Sequence, residues 1–244
     1  MRQNIRLNSG LVGGILLGML ICVAPDVPNA SAEPYIGGQV GTGIANMKLS
    51  SVELTDFNPP GSMSDRSLAT TALLGFKLGY YFPERKWFGV ETEAYYMTPH
   101  IQQQSTTIAV QSNAVLKGVG PVPGGTTTSV LSGDHFRVMT WVPVNAMFRY
   151  YKTRLQPYVG IGPGVFMGSV SSSNPQFPSS QTSTRLGLNA KGGAEYFFTR
   201  QVTAFAEVKW NYTRFDFSGN PNGGFGFRAT YSPLLMAVGV SYHF

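Results

Sequence analysis

The chain is nearly free of cysteine. Among its 244 residues there is one, Cys22, inside a segment expected to be removed, so a disulfide-stapled fold is excluded. Charge is scarce too. Only 12% of residues are Asp, Glu, Lys or Arg, about half the share of an average soluble domain. The net charge of +6 is spread out with no Lys/Arg run, which argues against a nucleic-acid partner. There are only three histidines, His100, His135 and His243. Imidazole-based hydrolysis or metal binding therefore has few candidates. After residue 24 every apolar run is short or interrupted on alternate residues, so no later segment reads as a membrane helix. If the chain crosses a bilayer, it must do so as a closed barrel, the other structure that pairs all its backbone groups in lipid.

What is plentiful is alternation. From Leu234 to the end the chain reads LLMAVGVSYHF. Met236, Val238, Val240, Tyr242 and Phe244 fall on one face; Ala237, Gly239, Ser241 and His243 fall on the other. A period of two is the mark of a strand with unlike faces. The same period recurs over about 33–47, 68–82, 87–98, 135–151, 156–171, 185–198 and 202–216. With the closing stretch that makes eight strands. Long connections after strands one, three, five and seven alternate with short ones after two, four and six, as in an antiparallel up-and-down barrel of the outer membrane. Ile108–Leu116 is expected to form an extra hairpin arm within the long 100–134 connection. Pro163 is expected to bulge or break strand five, since proline lacks a ladder donor.

The N-terminus reads as an export signal. Arg2 and Arg6 precede the apolar run Leu11–Ala24, and Ala30-Ser31-Ala32 supplies a small-x-small site. Cleavage is expected between Ala32 and Glu33, dividing the chain into a leader, 1–32, and a barrel domain, 33–244. A lipoprotein signal at Cys22 is disfavoured because Ile21 before it is not small.

The period alone does not say which face is outside. The polar face is rich in glycine and poor in charge, which suits a narrow interior. Aromatics gather beside the short turns: Tyr80, Phe82, Trp87, Phe88, Phe148, Tyr150, Tyr196 and Phe198, with Tyr242 and Phe244 at the end. Aromatic rings favour the headgroup zone. The apolar face is therefore expected to meet lipid, in an all-β, eight-stranded antiparallel transmembrane barrel. Lys77, Glu91, Glu93, Arg149, Lys191, Glu195, Glu207 and Lys209 then point inward. An eight-stranded barrel is just wide enough for its own side chains, so these ions are expected to pair as a plug rather than to line a small pore.

The segments FGVETEAYY (88–96), VNAMFRYY (144–151), PYVGIGPGV (157–165), GLNAKGGAEYFFT (187–199), VTAFAEVKW (202–210) and VGVSYHF (238–244) together resemble the opacity-type outer-membrane β-barrel family, relatives of the small barrel of outer membrane protein A. The long 100–134 connection and Pro163 depart from it. The resemblance implies a non-enzymatic protein of the cell outer membrane, linked to adhesion, host-surface contact or envelope integrity through four external loops. It also implies that the assembly machinery reads the terminal aromatics Tyr242 and Phe244. Loop aromatics such as Phe177, Phe225 and Phe227 could touch a surface ligand. The partners expected are outer-membrane lipid, that machinery and such a ligand; no cofactor or metal is expected. The rival reading is a lipid A-modifying deacylase or acyltransferase. It needs a nucleophile, a base and an orienting acid in reach. His135 and His243 have interior parity at opposite ends of the barrel, and Ser241 with His243 lies at the periplasmic rim, away from external lipid A.

Overall fold

The computed structural model describes residues 33–131, 133–172, 180–219 and 225–244. The expected leader, its cleavage motif up to Ala32, and Phe177 lie outside them. Eight strands form the wall: β1 Glu33–Ala45, β2 Ala72–Phe82, β3 Arg85–Met97, β4 Asp134–Arg149, β5 Leu155–Ser172, β6 Ser180–Phe197, β7 Val202–Phe217 and β8 Leu234–His243. Each pairs antiparallel with the next, and β8 pairs with both β1 and β7, so the sheet closes on itself. The seam runs in register from Tyr35 opposite His243 to Val40 opposite Val238. Closure leaves these strands no free edge within the barrel.

Local chemistry sets the turns at the lower end, where both termini of the described chain also lie. The Pro83-Glu84 turn joins β2 to β3. Between β6 and β7 the Thr199 hydroxyl accepts from the Gln201 and Val202 amides at 3.2 and 2.9 Å, a side chain standing in for backbone in a tight turn.

The outward faces carry Ile36, Val40, Leu74, Phe76, Val159, Ile161, Leu188 and Val238, all exposed. The rings beside the short turns touch one another around the lower rim. Phe82 stacks on Phe88 at 5.6 Å, Phe88 reaches Phe148 at 5.4 Å, and Tyr196 meets Phe198 and Tyr242 meets Phe244 at 5.1 Å. A second, upper set is formed by Tyr96, Trp141, Trp210 and Tyr212, also exposed. Trp210 donates to the Ser232 hydroxyl at 3.0 Å and Trp141 to the Thr92 hydroxyl at 3.3 Å. Along β7 the two sets are separated by roughly ten residues, or about 25 Å for a tilted strand, the height of an outer-membrane apolar band.

The irregularity expected at Pro163 sits on the neighbouring strand instead. β5 stays in register with β6 straight through Pro163, which faces Leu188. Opposite it, β4 uses one more residue from Trp141 to Ala146 than β5 uses from Val165 to Ile161, and β3 sees the same shift. Pro143 lies in this bulge, so the donors missing from both prolines fall at one break in the ladder. An extra residue swaps the faces. Below the bulge Asn145, Met147 and Arg149 are buried and Phe148 is exposed. Above it Phe136, Val138, Thr140 and Val142 are buried, while Arg137, Met139 and Trp141 face out. A single apolar face for strand four was thus wrong in its upper half, and His135 is outward rather than interior.

β4 to β7 run 16–18 residues, well beyond the 9–11 that cross a bilayer. Ser172 and residues 180–184, left between strands five and six by the sequence pattern, belong to these extensions. The low side is built up by the other connections. Phe227–Tyr231 extends β8 upward, pairing with the top of β7 on one side and with Lys48–Leu54 on the other; that segment pairs with Gly61–Met63, which meets Gln104–Val110, which pairs with Gly125–Leu131. The expected arm at 108–116 is therefore displaced. Its strands are 104–110 and 125–131, while Val115–Leu116 pairs with Gly120–Pro121 and with Phe57–Asn58. Leu68, assigned to strand two, instead bridges to Ile101 inside this external sheet.

Candidate functional site

The interior is layered, and the order can be read up β7: Thr203, Phe205, Glu207, Lys209, Asn211, Thr213, Phe215, Phe217, all buried. At the bottom, Glu33, Arg149, Glu195 and His243 come together. Arg149 donates to Glu33 at 3.3 Å and to the Lys86 carbonyl at 2.9 Å. His243 lies 3.5 Å from Glu33 and 3.1 Å from Glu195, and its ring stacks on Tyr35 at 5.1 Å.

One layer up is the main ionic cluster. Lys191 contacts Glu91 directly and Glu93 at 3.2 Å. Lys209 contacts Glu93 directly and Glu207 at 3.0 Å. Lys77 reaches Glu207 at 3.3 Å and lies over the Phe205 ring. Two phenols complete it: Tyr35 donates to Glu91 and Tyr158 to Glu207, each at 2.6 Å. Ions removed from water cost several kcal/mol each unless closely paired and hydrogen-bonded. Here every lysine meets a carboxylate, and the phenols take up remaining lone pairs. Glycines make the space. A Cβ at Gly79 would fall 2.2 Å from the Tyr35 ring, and one at Gly160 would fall 2.5 Å from Met147 Sδ.

Above the ions is a neutral polar layer in which Tyr95 and Asn189 both donate to Asn211 Oδ1 at 2.8 Å. Above that the lumen turns apolar. Phe136, Phe166, Phe215, Phe217 and Tyr231 pack with Leu49, Leu68 and Ile101 from the external segments. Burial pushes the Tyr231 phenol above its usual range.

All eight charges assigned to the interior are buried, six of them meeting in the cluster around Glu93 and Glu207. Tyr80, Trp87, Phe148, Tyr150, Tyr196 and Phe198 are exposed and Phe82 and Phe88 half-buried. Sequence reasoning missed Glu33 and His243 as members of the lower ion group and Tyr35 and Tyr158 as donors to the main cluster above it. His243 had interior parity in the sequence, and Glu33, Tyr35 and Tyr158 share the inward parity of their strands, but only the fold shows which layer each joins. The upper apolar core was hidden because loop residues supply much of it.

Two further arrangements lie in the external sheet. His100 and His135 are cross-strand neighbours with Nδ1 atoms 3.1 Å apart, exposed to solvent. Arg66 is buried, and that burial pulls its guanidinium below the ordinary value, with Asp134 opposing. Arg66 borders a cavity between the external sheet and the apolar layer. Among the described residues no group of three or more His, Cys, Asp or Glu is arranged to hold a metal.

A closed barrel with an apolar belt, an aromatic girdle at each edge and a buried polar interior defines an outer-membrane β-barrel protein. The chain belongs to the outer membrane protein β-barrel domain family, whose model matches residues 14–244. Among solved structures it is similar to the outer membrane protein OprG of Pseudomonas aeruginosa, with 16% identity over 88% of this chain and 97% of that one and a TM-score of 0.51. It is also similar to Neisserial surface protein A, with 15% identity over 88% and 99% of the two chains and a TM-score of 0.48. No curated protein matches at the level of sequence. The protein is therefore placed in the cell outer membrane, short turns toward the periplasm and the built-up sheet outside.

Proposed function

We propose that the protein is a non-conducting, non-enzymatic barrel that anchors a folded β-sheet at the cell surface, where that sheet makes contact with another surface. The observation that carries this reading is the filling of the lumen. Ions, amides and then aromatic rings occupy successive layers, while the long connections build ordered strands outside the membrane. A polar plug fixes register but offers no water column. The enzyme alternative is less well supported. His243 is tied to two carboxylates at the periplasmic end, and His100 and His135 are engaged with each other.

The reading includes export by a leader cut after Ala32 and recognition of Tyr242 and Phe244 by the assembly machinery. Cells displaying the intact chain should bind a host-like or abiotic surface, and replacing 48–67 or 104–131 by short turns should abolish that binding while the barrel still inserts. In planar bilayers the purified protein should give no steady conductance; regular open-channel steps would favour a small pore. Lipid A mass spectra from cells with and without the protein should coincide; a lost or gained acyl chain would favour the enzyme.

A further inference from the structure

The external sheet and the top of the barrel border a half-open cavity of about 310 Å³. Its walls come from both sides: Leu49, Val52 and Ile108 from the added strands, Val170 from β5, and Phe57 and Phe227 over the top. Its floor is continuous with the aromatic layer of the lumen, since Leu49, Val52 and Val170 belong to that core as well. Three polar side chains face it, those of Arg66, Asp134 and Gln181.

Protein interiors keep few voids larger than one water. This one has room for about ten waters at about 30 Å³ each, yet its walls give water few partners. Its size lies at the lower end of small-molecule sites, and so does its plan, an apolar body with a few convergent polar groups. Arg66 and Asp134 cancel in charge, and Gln181 is neutral. Together they can donate to and accept from one head group, whereas a bare anion or cation would meet a like charge.

We propose that this cavity binds one neutral, medium-chain amphiphile: an alkyl chain of about ten carbons against the apolar walls, with a hydroxyl or amide head at Arg66, Asp134 and Gln181. A sugar or nucleotide would leave most of its polar groups against hydrocarbon. The inference goes beyond surface display and does not depend on it, because adhesion can fail while the cavity fills, and the reverse.

The test uses the full protein in lipid nanodiscs and a decanol carrying a photoreactive diazirine on its chain. Labelled residues are mapped by mass spectrometry, with unlabelled decanol and decanoate as competitors. The expected result is labelling within 49–57 and 101–108, saturably displaced by decanol and at least fivefold less well by decanoate. Val52→Trp and, independently, Ile108→Phe should each lower that labelling about tenfold while the heat-modifiable folded band persists. If one variant does not fold, the other carries the test. Labelling confined to lipid-facing Val159 and Ile161, or cavity labelling unchanged in every variant that folds, overturns the proposal. Equal displacement by decanoate overturns the assignment of a neutral head.

Discussion

On β8, neighbouring residues differ entirely in what a substitution meets. Val238 faces lipid about halfway between Tyr242 at the lower rim and Leu234, which pairs with Trp210 at the upper one. Val238→Arg should cost about 2–4 kcal/mol, the midplane penalty for a cation, and Val240→Arg, nearer the rim, should cost less. Gly239 faces inward, where a Cβ would fall 2.1 Å from the Gly38 carbonyl oxygen and 2.4 Å from the Phe205 ring. Gly239→Ala should therefore cost about 1–3 kcal/mol by overpacking. Urea titration of barrels refolded into vesicles checks all three. Lys209 is wholly buried between Glu93 and Glu207. Lys209→Met should destabilise by about 3–5 kcal/mol by stranding carboxylates, and adding Glu93→Gln should recover part of that loss in a double-mutant cycle.

Among the elements, β4 makes the sharpest demand. The bulge at Pro143 sends opposite parities inward above and below it. Single cysteines at Met139 and Phe148 should react with a lipid-soluble maleimide, while cysteines at Val138 and Met147 should not. Reaction at Val138 would mean an unbroken strand. This is also where the sequence was least legible. The alternation of Val138, Thr140, Val142, Val144 and Ala146 runs on unbroken, and all are apolar or small. An apolar residue reads the same whether it faces acyl chains or the apolar upper lumen. Where the lumen is charged, as on β3 at Glu91 and Glu93 and on β7 at Glu207 and Lys209, the inward face was plain. Pro163 marked the right height but the wrong strand, because a missing donor affects the neighbour as much as its owner.

For the whole molecule, the wall and its rims followed from period and turn length, but the external sheet did not. Its strands come from segments rich in Gly, Ser and Thr, and they pair across large sequence separations, as Lys48–Leu54 does with Phe227–Tyr231. No local pattern announces such pairs. Arg228 and Arg214 tie this junction by ion pairs to Glu53, and Arg228 also to Asp216. These pairs are half-exposed, so Glu53→Gln should cost less than about 1 kcal/mol and should leave protease resistance of the external sheet intact. Deleting 48–67 should instead uncover the apolar top of the lumen and make the sheet trypsin-sensitive, while the heat-modifiable band shows a barrel still formed.

The lower ion group joins residues from the two ends of the described chain. Glu33 opens β1, His243 closes β8, and both meet with Arg149 and Glu195 across the seam. No segment emerging early can complete that lock without the one emerging last. Sealing of the cylinder therefore waits for the eighth strand, and a chain halted before it would remain an unlatched curl in which Glu195 lacks its imidazole partner.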